Sequence, residues 1–521
     1  MNEIRPSLAN DCLVVSDLHL GEGRRSDTPR YSPMEEFFHD EAFARMLGHF
    51  QQRYAGDPDG LGLVLNGDTF DFLTTTEIPD DSEATMRGFE VRPAERRFGL
   101  NPTPSKSAWK LERIMAGHPV FFGALARFVA AGHRVEILRG NHDLELYFEP
   151  VQQALLRGLG AFADGPSPQQ AAERVRFHQW FLLDPQRLYI EHGNQYESSN
   201  SIRYPLRPLL PERRRRGEGE DVLDYPLGSM FVRYFYNSVH RINPYSPKLV
   251  SFEQYLEFMR RYNLIDLLRI AREHYPFFMR TLKPRATGGT SRPSRQADAQ
   301  QQRDFAAAAE QTSQPELHQQ LNRLKVIPAS ASKLSLVRAM IKPVARRLAV
   351  AGAIALGTLY IWLLLFSLIQ GSSWLVENVF AKAVLMVLLA VLTLGGVVWL
   401  ISRLDQKLRR QVDPTAQMLA DRAERIARLT GVRLVLMGHT HLVDIRRVAD
   451  DQTIYANSGT WVAVDNPWER IEPAARRRTL LWVHGDEVEV CRWNDDAGRL
   501  DPVPMFDRPP LEQAEDKPPL V

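Results

Sequence analysis

The sequence is poor in cysteine, and this scarcity limits the chemistry that it can carry. Only Cys12 and Cys491 occur among 521 residues, too few for a disulfide framework. No Cys-x-x-Cys pair is present, so any bound metal must depend on His, Asp and Asn side chains. Few thiols are also typical of proteins in a reducing, cytosolic compartment.

A strong net charge and an export signal are also missing. The formal net charge is +2, which by itself predicts no nucleic-acid partner. Residues 1–15 have neither the basic start nor the long apolar stretch of a secretory signal, so we expect the first domain to stay in the cytosol. Hydrophobic residues make up 44% of the chain, which is enough for a sizeable core. At roughly 100–200 residues per domain, the length allows two to four domains.

Charged residues are absent from two long stretches, residues 348–376 and 383–402. About 20 apolar residues, at ~1.5 Å rise each, cross the ~30 Å hydrocarbon core of a bilayer. The sequence therefore predicts a transmembrane hairpin with spans at about 348–370 and 382–402; a pair of buried core helices is the alternative. Basic residues flank the outer ends, whereas the turn between the spans has only Lys382. We therefore expect a multi-pass protein of the inner (cytoplasmic) membrane with both flanks in the cytoplasm.

Elsewhere, short apolar runs end in polar loops, and helical patterns separate several of them. Two such helical patterns cover residues 35–52 and 118–131. This alternation predicts an α/β fold, in which polar loops at the carboxyl ends of strands converge on one site. The strand-like runs cover residues 12–16, 61–65, 135–138, 188–190 and 434–437, and closing strands are expected at 454–456 and 480–483.

The long interval between the fourth and fifth runs divides the chain into segments. We expect residues 1–196 to form the N-terminal part of the core, 197–330 a helical insert and flexible linker, and 331–402 a basic amphipathic segment with the transmembrane hairpin. Residues 403–500 would form a connecting helix and the C-terminal part of the core, and 501–521 a disordered tail.

The polar loops after the strand-like runs carry His, Asp and Asn. Carboxylate oxygens and imidazole nitrogens suit Mn, Zn, Fe and similar divalent ions. An Asp-x-His pair or a loop histidine alone is usually no ligand, but the complete set in this order indicates one metal site. The motifs are Asp17-Leu18-His19, Gly67-Asp68, Gly140-Asn141-His142-Asp143, His192 and Gly438-His439-Thr440-His441.

This ordered set resembles the calcineurin-like metallophosphoesterases, over roughly residues 10–196 and 431–495. The resemblance implies two packed β-sheets flanked by helices, a four-layer α/β/β/α sandwich, which the helical insert and transmembrane hairpin would interrupt. It also implies a hydrolase with two divalent metal ions as cofactors. Manganese is the first choice, and Zn, Fe and Mg are the others.

The resemblance further implies a role for each residue. Two dications ~3.5–4 Å apart would clamp the attacking and leaving oxygens of a phosphoryl group. Asp17, His19 and His441 would hold one ion, Asn141, His192 and His439 the other, and Asp68 would bridge them. His142 would protonate the leaving oxygen or stabilise transition-state charge. Asp143 would fix the ring of His142 or cap the loop, and Asp71 is a further candidate for orienting a ligand.

Residues 17–20 and 67–71 look like the branch that hydrolyses UDP-2,3-diacylglucosamine, a lipid-linked pyrophosphate. That branch usually has arginine where this chain has His142. We therefore expect hydrolysis of a phosphoester or pyrophosphate, with a lipid-linked substrate favoured by the membrane segment. Residues 222–283 of the insert would form a lid over the site or pack against the core.

Two other functions stay open. A nuclease or cyclic-nucleotide phosphodiesterase of the same family gains support only from the basic run Arg213–Arg216, and the first interpretation expects no nucleic-acid partner. A non-catalytic membrane scaffold would have lost its metals, but here each expected ligand position is filled. The sequence does not predict the oligomeric state.

Overall fold

The structure is a computed structural model, and it describes the parts of the chain that position the candidate site. The basic run Arg213–Arg216, most of the insert after residue 237 and parts of both expected membrane spans lie outside those parts. The described residues are 8–24, 30–57, 60–210, 220–237, 292–311, 316–326, 356–358, 360–368, 379–381, 383–391, 393, 395–396, 414–449, 451–462 and 477–503.

The strands and helices alternate in the first part of the chain. The strands are β1 (Asp11–Val15), β2 (Gly62–Asn66), β3 (Arg134–Leu138), β4 (Val175–His178), β5 (Phe181–Asp184), β6 (Leu188–Glu191), β7 (Leu434–Met437), β8 (Val443–Val448), β9 (Thr453–Ser458), β10 (Thr479–His484), β11 (Glu487–Asn494) and β12 (Arg499–Pro502). The helices are α1 (Asp40–Arg53), α2 (Asp81–Met86), α3 (Pro93–Phe98), α4 (Pro104–Gly117), α5 (Pro119–Ala130), α6 (Glu149–Gly160), α7 (Pro168–Arg174), α8 (Leu227–Phe231), α9 (Arg292–Gln311), α10 (Leu317–Leu324) and α11 (Pro414–Thr430).

The first sheet has seven strands in the order β12-β11-β10-β1-β2-β3-β4. Strands β1 to β4 are parallel, with Cys12 opposite Gly62 and Leu65 opposite Ile137. All five residues of β2 are buried, as expected for a parallel strand covered on both faces, and this explains its continuous apolar run. The carboxyl ends of β1, β2 and β3 therefore meet at one edge of the sheet.

The second sheet has five strands in the order β5-β6-β7-β9-β8 and joins the two ends of the chain. Strands β6 and β7 are parallel neighbours, with Leu188 opposite Leu434, although residues 192–433 separate them in sequence. Strand β9 is parallel to β7, and β8 returns antiparallel to β9. The polar loops after β6 and β7 thus lie side by side.

Hydrophobic residues pack on both faces of each sheet. Leu13 and Val15 of β1 belong to a core that includes α1, α4, α5 and α6. Their neighbours Cys12 and Val14 face the opposite way, into a second core shared with β6 and β7 of the other sheet. A third core, which includes Leu419 of α11, covers the far side of the second sheet. The structure therefore confirms the α/β class, with two sheets and many helices.

One sequence-based boundary requires correction. The helix expected at residues 35–52 begins only at Asp40. Glu35 is instead held in the loop before the helix, where its carboxylate contacts the backbone N–H of Gly23 at 2.6 Å and His118 Nε2 at 3.2 Å. The start of the connecting helix expected after residue 403 lies outside the described residues, and its described part is α11.

The chain divides into two compact units, residues 333–414 and the remainder. The described part of the insert, including residues 197–210 and 220–237, belongs to the same unit as the core. In residues 333–414, helical stretches are described at 356–358, 360–368, 379–381 and 383–391. Among the described residues, no helix has the length and apolar character needed to cross a membrane.

Candidate metal centre

Five of the expected ligands have a left-handed backbone conformation. The φ angles are 54° at Asp17, 52° at His19, 49° at Asp68, 73° at His439 and 60° at His441. This conformation costs an L-residue roughly 1–2 kcal/mol, and residues strained in this way cluster at functional sites. The five residues follow β1, β2 and β7, so the strained turns lie where the parallel strands end.

Backbone hydrogen bonds fasten these loops to one another. Asp17 Oδ2 accepts from the backbone N–H of His439 at 2.9 Å, and Asp68 Oδ1 accepts from the backbone N–H of His142 at 2.8 Å. The backbone N–H of Gly438 donates to the carbonyl of His192 at 3.0 Å. One oxygen of each carboxylate thus organises a neighbouring loop, and the other oxygen is left for a ligand.

Two motif glycines are required by close approach. A Cβ atom at Gly140 would lie 2.1 Å from Asp68 Oδ1, and one at Gly67 would lie 2.5 Å from the ring of His192. Gly67 also has a φ of 79°, which glycine adopts at little cost. The glycines of these motifs therefore allow the ligand loops to pack against each other.

Asp17, His19 and His441 form one potential ligand group, with one ligand atom from each within 4.8 Å of the others. The Nε2 atoms of His19 and His441 are 3.2 Å apart, and Asp17 Oδ1 is 3.2 Å from His441 Nε2. Two imidazole nitrogens therefore point into one small space beside a carboxylate oxygen. This is the first ligand set that the resemblance implied.

Asp68, His192 and His439 form a second group by the same distance criterion. His192 Nε2 is 3.3 Å from Asp68 Oδ2, and His19 Nε2 is 4.0 Å from that same oxygen. Asp68 also belongs to a group with His19 and His142. Asp68 therefore lies between the two predicted ligand sets, which is where a bridging carboxylate is needed.

Two buried oxygens test whether this cluster fits cations. Asn141 Oδ1 is buried and accepts a hydrogen bond from no residue that the structure describes, and Asp17 Oδ1, also buried, lies 3.2 Å from His441 Nε2. A buried acceptor without a donor is unfavourable by about 1–3 kcal/mol, and a cation would satisfy it. Carboxylate, amide and imidazole donors together suit first-row divalent ions, so the residues fit the expected metals.

The histidine rings are oriented by groups outside the cluster. His192 Nδ1 donates to the carbonyl of Asn66 at 2.9 Å, which directs Nε2 towards Asp68. His439 Nε2 lies 2.7 Å from Glu197 Oε2, which leaves its other ring nitrogen for a cation. Such outer partners fix the tautomer of a ligand histidine and increase its basicity.

Asp71, and not Asp143, faces the ring of His142. Asp71 Oδ2 lies 3.1 Å from His142 Nδ1. The carboxylate of Asp143 instead accepts from the backbone N–H groups of Gly140 and Thr69, at 2.6 and 2.9 Å. These hydrogen bonds match the loop-capping alternative for Asp143.

Electrostatics favour positive charge in this cluster. Burial alone would raise the pKa of Asp68, but His192 and His142 hold that pKa well below its usual range. Burial likewise opposes a charged His192, yet Asp68 and Asp17 raise its pKa to about 10. The pKa of Asp17 is lowered in the same way, against burial, by His441 and His192. The carboxylates thus attract cations, and divalent metals are one source of that charge.

Sequence patterns gave no signal for some residues around the centre. Glu197 and Ser229 lie in the expected insert, yet Glu197 contacts His439 and Ser229 Oγ donates to the carbonyl of Asn141 at 2.7 Å. Comparison with models of known protein families and with curated proteins finds no match for this chain. The geometry of the centre therefore carries the functional assignment.

Proposed function

We propose that this chain is a membrane-anchored phosphoesterase with two divalent metal ions, of the calcineurin-like type, that hydrolyses a phosphoester or pyrophosphate. The observation that carries the proposal is the position of Asp68, which is shared by two potential ligand groups at the ends of parallel strands. The two-sheet arrangement, with helices packed outside, is compatible with the four-layer sandwich that the resemblance implies.

The residues divide into two ligand sets around Asp68. Asp17, His19 and His441 would hold one ion, and Asn141, His192 and His439 the other. When bound, such ions stabilise negative charge on phosphoryl oxygens and lower the pKa of water, and manganese, zinc, iron or magnesium are the candidates.

His142 is the proposed proton donor to the leaving oxygen. Its Nδ1 faces Asp71, so its Nε2 is the atom that would release a proton. The buried carboxylate of Asp71 favours the protonated ring and fixes its orientation, as the acidic member of a catalytic triad does. In the alternative, the same protonated ring stabilises negative charge on the transition state.

Exposed apolar side chains support the membrane anchor. No described residue at 360–368 or 383–391 is buried, although most are apolar. Ile361, Leu363 and Val387 are 56%, 52% and 63% exposed. Apolar surface in water costs roughly 25 cal/mol per Å², and insertion into lipid removes this cost. A substrate in or near the bilayer, such as a lipid-linked pyrophosphate, would suit an enzyme anchored in this way.

The test uses the full chain in detergent, stripped of metal by a chelator and reloaded with Mn²⁺. We expect about two ions per chain and hydrolysis of an aryl phosphodiester or a lipid pyrophosphate. Asp68→Ala should lose metal and activity, whereas His142→Ala should lose activity and keep most of its metal. Fewer than about one ion per chain without hydrolysis would favour the scaffold. Activity that survives both substitutions would refute the site assignment.

The nuclease alternative depends on Arg213–Arg216, which lies outside the described residues. Salt-sensitive DNA binding by the full chain would favour that alternative, because phosphate contacts weaken as salt rises.

A further inference from the structure

We infer that two short stretches near the start of the insert, residues 197–200 and 227–229, form a clasp that sets the affinity of one metal ion and largely spares the other. The clasp contacts Asn141 and His439, which belong to the same predicted ligand set. The inference rests on the proposed two-metal function. The clasp would set the affinity of the ion held by Asn141, His192 and His439.

Glu197 is the contact between the clasp and His439. Its Oε2 lies 2.7 Å from His439 Nε2 and also accepts from Asn200 Nδ2 at 2.8 Å. Its Oε1 accepts from the hydroxyl of Ser199. These two hydrogen bonds hold the carboxylate in position beside the ring of His439. A carboxylate on the outer nitrogen of a ligand histidine increases the electron density available to the metal.

Ser229 is the contact between the clasp and Asn141. Its hydroxyl, which is fully buried, donates to the backbone carbonyl of Asn141 at 2.7 Å. This bond fixes the peptide that carries the amide ligand. The side-chain oxygen of Asn141 is the buried acceptor that lacks a donor, so the position of this peptide decides whether that oxygen can reach a cation.

The two halves of the clasp are joined to each other. The backbone N–H of Gly228 donates to the carbonyl of Ser199 at 2.7 Å. A Cβ atom at Gly228 would lie 2.1 Å from Asn200 Oδ1, so a larger residue here would displace the Asn200 side chain. The clasp therefore contacts both His439, in the loop after β7, and Asn141, in the loop after β3, as one hydrogen-bonded unit.

Different segments hold the other ligand set. The hydroxyl of Thr460 donates to the backbone carbonyl of Asp17 at 2.7 Å. Asp71 Oδ2 lies 3.4 Å from His19 Nδ1. These supports come from the loops after β9 and β2, not from the insert. A change in the clasp should therefore weaken the cation at Asn141, His192 and His439 and affect its neighbour little.

The experiment titrates the metal-free full chain in detergent with Mn²⁺ by calorimetry, so that the readout is independent of activity. We expect two classes of site in the wild type. Glu197→Gln should weaken one class about 10-fold and Glu197→Ala about 100-fold, because glutamine still accepts a hydrogen bond. Ser229→Ala should weaken that same class about 10-fold, because alanine cannot donate to the carbonyl of Asn141.

Matched controls separate the clasp from general damage. Glu112→Gln removes an exposed carboxylate that pairs with Arg87, and Ser107→Ala removes a buried hydroxyl on α4. Both controls should bind Mn²⁺ as the wild type does. Equal weakening of both classes by the clasp variants, or no weakening in any of them, would overturn the clasp alone. A wild-type chain that binds no Mn²⁺ would overturn the proposed function, and the clasp with it.

Discussion

The carboxylate of Asp71 lies between two imidazoles, 3.1 Å from His142 Nδ1 and 3.4 Å from His19 Nδ1. Its other oxygen accepts from the backbone N–H groups of Leu73 and Thr74, at 3.1 and 3.0 Å. A single buried side chain therefore orients both the proposed proton donor and a metal ligand. Both rings interact with its negative charge.

Replacement of Asp71 by asparagine should test this charge. The amide has nearly the same shape, but it is neutral and does not favour a protonated His142. We expect kcat to fall by about 10²–10⁴-fold. The measurement is steady-state hydrolysis of an aryl phosphodiester at saturating Mn²⁺, across a pH series. Glu77→Gln, which removes a surface partner of Arg113, is the control. A kcat within about threefold of the wild type would exclude Asp71 from proton transfer, since loss of a general acid costs far more.

Gly140 offers a second test at the level of one residue. The methyl group of Gly140→Ala would meet Asp68 Oδ1 at 2.1 Å, so the carboxylate that we propose as the metal bridge must shift. We expect a loss of about 1–3 kcal/mol in the free energy of unfolding, together with reduced Mn²⁺ content. Gly48→Ala is the matched control, because Gly48 lies in α1 and its added methyl group would contact nothing within 4 Å.

The free energy of unfolding should rise in the Gly48→Ala control, whereas it falls in Gly140→Ala. Alanine in a helix interior is favoured over glycine by about 0.5–1 kcal/mol, so the control should gain stability and keep its metal. Thermal unfolding and metal analysis of both variants provide the comparison. Normal Mn²⁺ content in Gly140→Ala would contradict the required close approach.

The clustering of the proposed ligand residues could be predicted from sequence because each lies in a loop that follows an apolar strand. Glu197 could not, since its role depends on the loop after β7 folding back to place His439 beside it. Ser229 depends in the same way on contact between the insert and Asn141. The contact of Asp71 with His142 also needed coordinates, because the two residues lie far apart in sequence.

At the level of elements, His118 joins three segments of the fold. It lies between α4 and α5, and its Nδ1 is 2.9 Å from Asp40 Oδ1 at the start of α1. Its Nε2 is 3.2 Å from Glu35 Oε2, which also accepts from the backbone N–H of Gly23 at 2.6 Å. Through Asp40 and Glu35, the buried His118 therefore links the loop after His19 to the start of α1 and to the junction of α4 and α5.

His118 should make the stability of this junction depend on pH. Burial opposes its charged form, but Asp40 and Glu35 raise its pKa to about 9, above the usual value of 6.5. A raised pKa stabilises the fold fully below pH 6.5, and this contribution is lost as the pH rises through about 9. At about 1.4 kcal/mol per unit, the contribution is roughly 3 kcal/mol.

The measurement compares the wild type with His118→Gln in urea at several pH values. The wild type should be more stable at pH 6, and the difference should shrink by roughly 3 kcal/mol between pH 6 and pH 10. A difference that stays constant with pH would show that His118 contributes packing only.

The sequence predicted the central parallel strands better than the edges. Strands β2 and β7 are fully buried, so they appear as unbroken apolar runs. Strand β4 has only one buried residue, and β12 has none, so neither produces such a run. The late start of α1 was missed for another reason, because contacts of Glu35 with Gly23 and His118, which are distant in sequence, hold it in a loop.

At the scale of the whole molecule, the second sheet constrains how the chain can meet a membrane. Strand β6 precedes residues 333–414 and β7 follows them, yet the two strands are paired. Both ends of residues 333–414 must therefore be on the same side of any bilayer. An even number of spans satisfies this condition, and a hairpin is the smallest. Apolar periodicity predicted neither the pairing of β6 with β7 nor the strand order; the metal motifs and the expected hairpin indicated only that both strands belong to one domain.

The proposed membrane anchor can be tested by flotation with vesicles. The full chain should float with phospholipid vesicles and resist extraction by alkaline carbonate. Leu363→Arg combined with Leu388→Arg places a charge in each expected span, where arginine costs about 2.5–3.5 kcal/mol. We expect this variant to be recovered largely in the soluble or aggregated fraction. Met86→Arg, which replaces an exposed apolar residue on α2, should still float. If the wild type stays in solution without detergent and does not float, the exposed apolar helices must be covered by protein instead, and a lipid-linked substrate loses its main support.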